Sequence, residues 1–285
     1  MASTPHPDPL PLLPPGLLPG PDFVDRAWGA SERSPAWLRS FQALFDAGRL
    51  AGTGHLCLLA GKGEPEAVAA LAQEGGCSGL VAGERALGVV ARRYAHRVPL
   101  IAAVRAERDP AAQARRLRDM GCVGVCLTLE EEVLHDDAGV TALAAAATAE
   151  GLVVVTHVLD WYRSEAPRIH AAGAAYGAAL AWRGDWPQYS RAADEANKRH
   201  ASTPRYREER LEEGRARVVE AWGGRVGQLA MVGTDGDARD TATLAKRAGA
   251  LGIVVAVPSD PDPSGHVAAL HALEDVWADG TITLA

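Results

Sequence analysis

Short apolar runs alternate with amphipathic stretches along most of this chain. The runs are five to seven residues long and nearly continuous in apolar or β-branched side chains, as expected of strands that are buried on both faces of a parallel sheet. Between them, apolar residues recur at helical spacing. The pattern predicts eight strands separated by helices, at 55–60, 79–83, 98–104, 122–128, 152–158, 176–182, 228–232 and 251–257.

This alternation predicts an α/β fold, a single (β/α)8 TIM barrel. Alternating strands and helices form a parallel sheet, and eight such units need about 250 residues to close, which fits a chain of 285. The main alternative is an open doubly wound sheet. The first strand–helix turn, Gly61-Lys62-Gly63-Glu64-Pro65, lacks the G-x-G-x-x-G pattern of such sheets and favours the barrel.

Two regions precede the first strand. Residues 1–22 are rich in proline and are expected to form an extended N-terminal arm, so the barrel is predicted to occupy residues 23–285. A helix is predicted to begin at Ser34-Pro35, with apolar residues at helical spacing from Trp37 to Phe45. Such a helix is placed to plug the bottom of the barrel.

The composition of the chain limits the kinds of binding partner that we expect. The net charge is −7, which argues against nucleic acid or an anionic membrane as the main partner. No apolar run approaches the ~20 residues of a membrane span, and the first residues lack the cationic start of a signal peptide. We therefore expect a cytoplasmic protein, with a small-molecule ligand left open. No cofactor is expected.

Four cysteines lie in apolar surroundings at or near predicted strands, and they are expected to be buried, reduced thiols. Two of them, Cys122 and Cys126, are spaced so that they would share one face of the fourth strand. This is a weak metal signal, because no partner pair lies nearby. No metal ion is expected. The four are Cys57, Cys77, Cys122 and Cys126.

Five phrases occur in the order typical of one enzyme family: PGPDFVDRAW at 19–28, LRSFQALFDAGRLAGTGHLCLL at 38–59, RRYAHRVPLI at 92–101, KRAGALGIVV at 246–255 and ALEDVWADGTITLA at 272–285. Through them the chain resembles the bacterial and archaeal-type class I fructose-bisphosphate aldolases. The resemblance implies a barrel, a lysine Schiff base as the reactive intermediate, and assembly into a homo-oligomer.

The positions that carry the family's chemistry differ here. The Schiff-base lysine ends strand six in a phrase of the form Gly-Ala-Asp-Ile-Val-Lys, whereas this chain has GAALAW, with Trp182 at the position of the lysine. Ala103 matches a second lysine, and Lys62 matches an aspartate after strand one. Because tryptophan cannot form a Schiff base, the resemblance implies a divergent member that lacks the catalytic lysine.

The phosphate loops differ as well. The loops after strands seven and eight of such barrels often bind phosphate through backbone N–H groups, so Gly233 and Thr234 are expected to bind substrate or phosphate. The family's Gly-Arg after strand eight is replaced by Val257-Pro258, which lacks the arginine and one N–H group.

The remaining catalytic candidates are Lys62, His157 and Tyr162. Lys62 is placed at the functional end of strand one, unlike the other two lysines, but it reads equally as a solvated loop residue. His157 could act as a base oriented by Asp160, and Tyr162 matches the family's acid/base tyrosine to within a residue or two. Alternatively, these groups simply line a wet barrel mouth. His157 with His135, Asp136 and Asp137 would form a loosely spaced metal site.

Three functions remain open. The chain could be an aldolase homologue without Schiff-base activity that binds a sugar or sugar-phosphate-like metabolite, or a protein. It could be an aldolase or lyase of altered substrate that uses Lys62. It could be a different barrel enzyme with His157 as base or metal ligand.

Overall fold

Eight parallel strands form a closed barrel in the computed structural model, which describes residues 20–61, 63–129, 137–158, 180–183, 227–232, 238–247, 250–257 and 263–278. Each strand pairs with the next along the chain, and the last pairs with the first. The strands are β1 (Leu56–Gly61), β2 (Gly79–Gly83), β3 (Leu100–Val104), β4 (Cys122–Leu129), β5 (Val153–Val158), β6 (Leu180–Arg183), β7 (Gly227–Val232) and β8 (Gly252–Val257).

Helices precede the barrel and follow six of its strands within the described residues. The connections after β5 and β6 lie outside them, so the complete eightfold alternation of strand and helix stays a prediction. Most of the N-terminal arm also lies outside. The described helices are α1 (Phe23–Ala30), α2 (Pro35–Phe45), α3 (Pro65–Glu74), α4 (Glu84–Tyr94), α5 (Pro110–Asp119), α6 (Asp137–Ala149), α7 (Ala238–Arg247) and α8 (Pro263–Ala278).

An aromatic plug closes the amino-terminal end of the barrel. Helix α2 begins where predicted, because the Oγ of Ser34 accepts a hydrogen bond from the backbone N–H of Trp37 at 3.2 Å. Phe41 is fully buried, with its ring centroid 5.2 Å from that of Trp37 and 4.7 Å from that of Phe45. These side chains share one cluster with inward residues of the strands, which confirms the predicted plug.

Helix α1 extends this plug and was not predicted from the sequence. Phe23 is fully buried and lies 4.9 Å from Phe45, ring centroid to ring centroid. This short helix packs Phe23 and Ala27 against the plug. Because it contributes so few apolar positions, it gives little periodic signal.

The strands alternate between two clusters, one inside the barrel and one beneath the surrounding helices. Cys122 lies in the outer cluster and Cys126 in the inner one, so the prediction that they share a face is wrong. The register between β3 and β4 shifts between Leu100 and Ile101. Such an irregularity inserts an extra residue and breaks the two-residue alternation. All four cysteines are buried and free of disulfides, as predicted.

Among the described helices, none combines the length and the apolar character that crossing a bilayer would require.

Candidate functional site

The carboxyl-terminal rim of the barrel is the region where barrel enzymes place their chemistry. Small side chains occupy inward positions along the described part of this rim. Ala60 and Ala103 pack against the inner cluster, and Ala256 follows the inward Val254 by two residues on β8. The register places Ala60 opposite Ala256. These short side chains leave the mouth of the barrel wider than its leucine- and valine-filled centre.

His157 is the sequence-predicted catalytic candidate that the structure describes at this rim. It lies two residues after the inward Val155 on β5, in register with Thr128 on one side and Trp182 on the other. Burial lowers the pKa of His157 to about 4. The imidazole is therefore neutral near pH 7. It can exchange hydrogen bonds or bind a metal, but it is a weak general base and is not protonated to act as an acid.

The two positions that match the family's lysines both lie near strand carboxyl ends. Trp182 is the third of four residues in β6, in register with His157 and with Leu229 of β7. Ala103 is the fourth of five residues in β3, and its methyl group packs against the inner cluster. Neither residue carries an amine, and their match to the family's lysines stays a prediction.

Five predicted site residues lie outside the described residues, so their mutual arrangement stays a prediction. Lys62 falls between Gly61, which ends β1, and Gly63, which precedes α3. Its place at the carboxyl end of strand one stays a prediction. The other four are Asp160, Tyr162, Gly233 and Thr234; the alternative metal-site residues His135 and Asp136 also lie outside.

A narrow apolar crevice lies beside the rim, between α3 and α4. Its cavity volume is about 20 Å³, and residues such as Val68, Leu80 and Leu87 line it. Ligand pockets usually enclose ~300–1,000 Å³ and include a few polar groups. The crevice has neither property and reads as a packing gap between the two helices.

The fold and the position of this rim define a parallel α/β barrel, and solved structures share that fold. They include 3-keto-L-gulonate-6-phosphate decarboxylase from Vibrio cholerae O1 biovar El Tor, 12% identical with a TM-score of 0.51 over 78% of this chain and 98% of that one. They also include "QR15, an Aldolase", 15% identical with a TM-score of 0.52 over 78% and 95%. A third is 3-hexulose-6-phosphate synthase, 19% identical with a TM-score of 0.50 over 76% and 99%. At these identities the likeness shows the fold alone.

Curated relatives confirm the resemblance to class I fructose-bisphosphate aldolases. The "Probable fructose-bisphosphate aldolase class 1" of Chlamydia pneumoniae is 26% identical over 94% of this chain and 92% of its own length. The protein of the same name from Chlamydia muridarum is 39% identical over 101 residues, and that match spans only 29% of the relative's length. No family model matches the chain. The chain is thus a homologue of proteins that bear this name.

Proposed function

We propose that this chain is a divergent homologue of class I fructose-bisphosphate aldolases, on a complete (β/α)8 barrel, that does not cleave fructose 1,6-bisphosphate through a Schiff base. One observation supports the proposal: Trp182, which the resemblance matches with the family's lysine, is the third of the four residues of β6. An indole cannot condense with a ketone, because its nitrogen lone pair belongs to the aromatic ring. Ala103 offers no second amine.

The ligand in this proposal is a sugar or sugar-phosphate-like metabolite held at the rim. The alanines at 60, 103 and 256 leave space there, and a neutral His157 can exchange hydrogen bonds with hydroxyl groups. We expect weaker anion binding after β8 than in the family, because β8 ends at Val257 and the following Pro258 has no N–H group to donate. We also expect a homo-oligomer, as the resemblance implies.

Lys62 supports the main alternative, an aldolase or lyase of altered substrate. Gly61 is the last residue of β1, so we expect Lys62, the next residue in the chain, to lie at the functional face. A lysine at a barrel mouth could become a nucleophile if its pKa were lowered there. The second alternative, a different barrel enzyme, rests on His157, whose neutral imidazole is a competent metal ligand.

Borohydride trapping separates these functions. The purified chain is incubated with fructose 1,6-bisphosphate or dihydroxyacetone phosphate, reduced with sodium borohydride, and analysed by intact and peptide mass spectrometry. We expect no adduct. An adduct on Lys62 that disappears in Lys62→Arg would establish the altered aldolase and refute the proposal. Lys246→Arg is the matched control, since the Nζ of Lys246 donates to the Val276 carbonyl at 2.7 Å, between α7 and α8.

Ligand binding is tested separately by calorimetry with sugars and sugar phosphates. Binding by the wild type that weakens in His157→Gln, with no product formed over long incubation, supports a metabolite-binding homologue. Turnover that requires His157 and a metal ion would instead support the different barrel enzyme. Light scattering on the purified chain tests the expected homo-oligomer, and a monomer would contradict it.

A further inference from the structure

A second cluster of reactive side chains lies at the opposite, amino-terminal end of the barrel. It consists of Cys57 on β1, Cys77 just before β2, and Glu274 on α8, and each residue is at most 2% exposed. The two sulfur atoms and a carboxylate oxygen all lie within 4.8 Å of one another. No short sequence motif predicts this group, because its members come from three separate parts of the chain.

The backbone holds the two cysteines side by side. The N–H of Ser78 donates to the carbonyl of Cys57 at 2.7 Å, and the N–H of Cys57 donates to the Ser78 Oγ at 3.1 Å. The N–H of Cys77 donates to the Ala72 carbonyl at 2.9 Å, which ties the same loop to the end of α3. The thiols therefore meet through main-chain hydrogen bonds, so their proximity does not depend on mobile side chains.

The carboxylate of Glu274 is the third donor group of the cluster. Neither oxygen of Glu274 has a hydrogen-bond partner of ordinary geometry among the described residues. The nearest cation is Arg49, whose Nε lies 3.4 Å from Oε2 and whose Nη2 bonds Asp275 at 2.9 Å. Buried polar groups left this way are costly.

We propose that Cys57, Cys77 and Glu274 bind a divalent transition-metal ion, with zinc the best match to the donor set. Zinc combines thiolate and carboxylate ligands in tetrahedral sites, whereas magnesium and calcium take oxygen ligands. Zinc–sulfur bonds of ~2.3 Å and zinc–oxygen bonds of ~2.1 Å hold ligand atoms just under ~4 Å apart. The cluster reaches that geometry by contracting about 1 Å at most.

The charges of such a site nearly balance. Two thiolates and a carboxylate carry three negative charges, a divalent ion carries two positive charges, and Arg49, shared with Asp275, offsets part of the remaining negative charge. Binding would release a proton from each group that is protonated in the metal-free protein, as metal binding to thiols requires. The bonds would join β1 and the β2 loop to α8 at the end of the barrel that governs stability rather than catalysis. The site is therefore structural and independent of the rim.

Cobalt substitution tests the site. The full chain is reduced, stripped of metal with a chelator, and titrated with Co²⁺. We expect thiolate-to-cobalt charge-transfer absorption and the intense visible bands of a tetrahedral site, saturating at one ion per chain and abolished by equimolar Zn²⁺. Absence of the charge-transfer band in the reduced wild type would overturn the proposal without reference to any variant.

Two variants and one control locate the ion. Loss of even an outer-shell partner typically costs ~10–100-fold in metal affinity, so Cys77→Ser and Glu274→Gln should each weaken Co²⁺ binding by at least ~100-fold. Cys126→Ser, which changes a cysteine buried inside the barrel, should leave it unchanged. Zn²⁺ should raise the melting temperature of the wild type and of Cys126→Ser but not of Cys77→Ser. Unchanged binding in Cys77→Ser, or loss in Cys126→Ser, would place the ion elsewhere and refute the assignment.

Discussion

The low pKa of His157 predicts how much folding stability the protein loses at acidic pH. In an unfolded chain a histidine titrates near ~6.5, whereas burial holds the pKa of His157 at about 4 in the folded protein. As the pH falls below ~6.5, the unfolded state takes up a proton that the folded state does not, so the folded state loses stability. The contribution is fully present above pH ~6.5 and is lost progressively down to pH ~4. At ~1.4 kcal/mol for each pKa unit, the full loss is about 3 kcal/mol.

The variant His157→Gln isolates this effect, because the other eight of the nine histidines titrate in both proteins. Denaturant unfolding is measured for the wild type and the variant at pH ~7.5 and pH ~4.5. We expect the wild type to lose about 2.5 kcal/mol more than the variant over this range. Because folding lowers the pKa of His157, the wild type must lose more stability than the variant as the pH falls. A variant that loses more stability than the wild type would contradict this reasoning.

Nuclear magnetic resonance of the imidazole provides a check that does not depend on unfolding. The ring signals of His157 should stay in the neutral form down to pH ~5. A midpoint near ~6.5, or equal pH dependence in the wild type and His157→Gln, would refute the reasoning. It would mean that the ring is solvated enough to exchange protons near neutrality. His157 would then be a credible acid–base group, and the different-enzyme alternative would gain support.

Four further substitutions, one of them a control, test the scaffold by denaturant unfolding. Phe41→Ala should destabilise by about 3–5 kcal/mol, since a fully buried ring at the centre of the plug is removed and leaves a cavity; a loss below ~1 kcal/mol would show that α2 is not essential to the core. Gly48→Ala should cost several kcal/mol, because φ is 75° and a Cβ would lie 2.1 Å from the Gly76 carbonyl oxygen. Gly52→Ala, at φ 72° with open space around it, is the matched control and should cost only ~1 kcal/mol. Equal losses in the two variants would show that the clash with the Gly76 carbonyl oxygen contributes nothing. Arg116→Ala should change stability by less than ~1 kcal/mol, although its Nε lies 2.6 Å from a Glu84 oxygen, because the pair is solvated.

The strands could be predicted from the sequence because burial on both faces demands continuous apolar runs. Gly79–Gly83 is predicted to the residue, and seven other strands overlap their predicted ranges. The plug helix is equally visible, since Ser34-Pro35 marks its start and five large apolar residues mark its buried face. Local pattern and tertiary role agree in these elements, so local information suffices.

Features that depend on pairing between distant segments could not be predicted. Cys122 and Cys126 have the spacing of one strand face, but a shift in the register with β3 sends them to opposite sides. Cys57 meets Glu274 only because the barrel closes between β1 and β8 and α8 packs against β8 and α3. A spacing rule assumes a regular strand or a contiguous motif, and neither condition holds here. The site was predicted mainly by matching positions with a family, which locates Trp182 and Ala103 but cannot supply the environment of His157.

Whether residue 182 truly occupies the nucleophile position can be tested by restoring the amine. In Trp182→Lys, combined with Lys62→Ala to remove the native lysine at the rim, borohydride should trap dihydroxyacetone phosphate on the introduced lysine. Trapping should be slow, because His157 is neutral beside that position and Ala103 supplies no cation, so only burial lowers the pKa of the new amine. Adding Ala103→Lys should speed trapping about tenfold for each unit by which the second cation lowers that pKa. A folded variant that gives no adduct, even with both lysines, would mean that residue 182 does not stand where the family's lysine does. The argument for a degenerate Schiff-base site would then lose its main support, and Lys62 would become the first residue to examine.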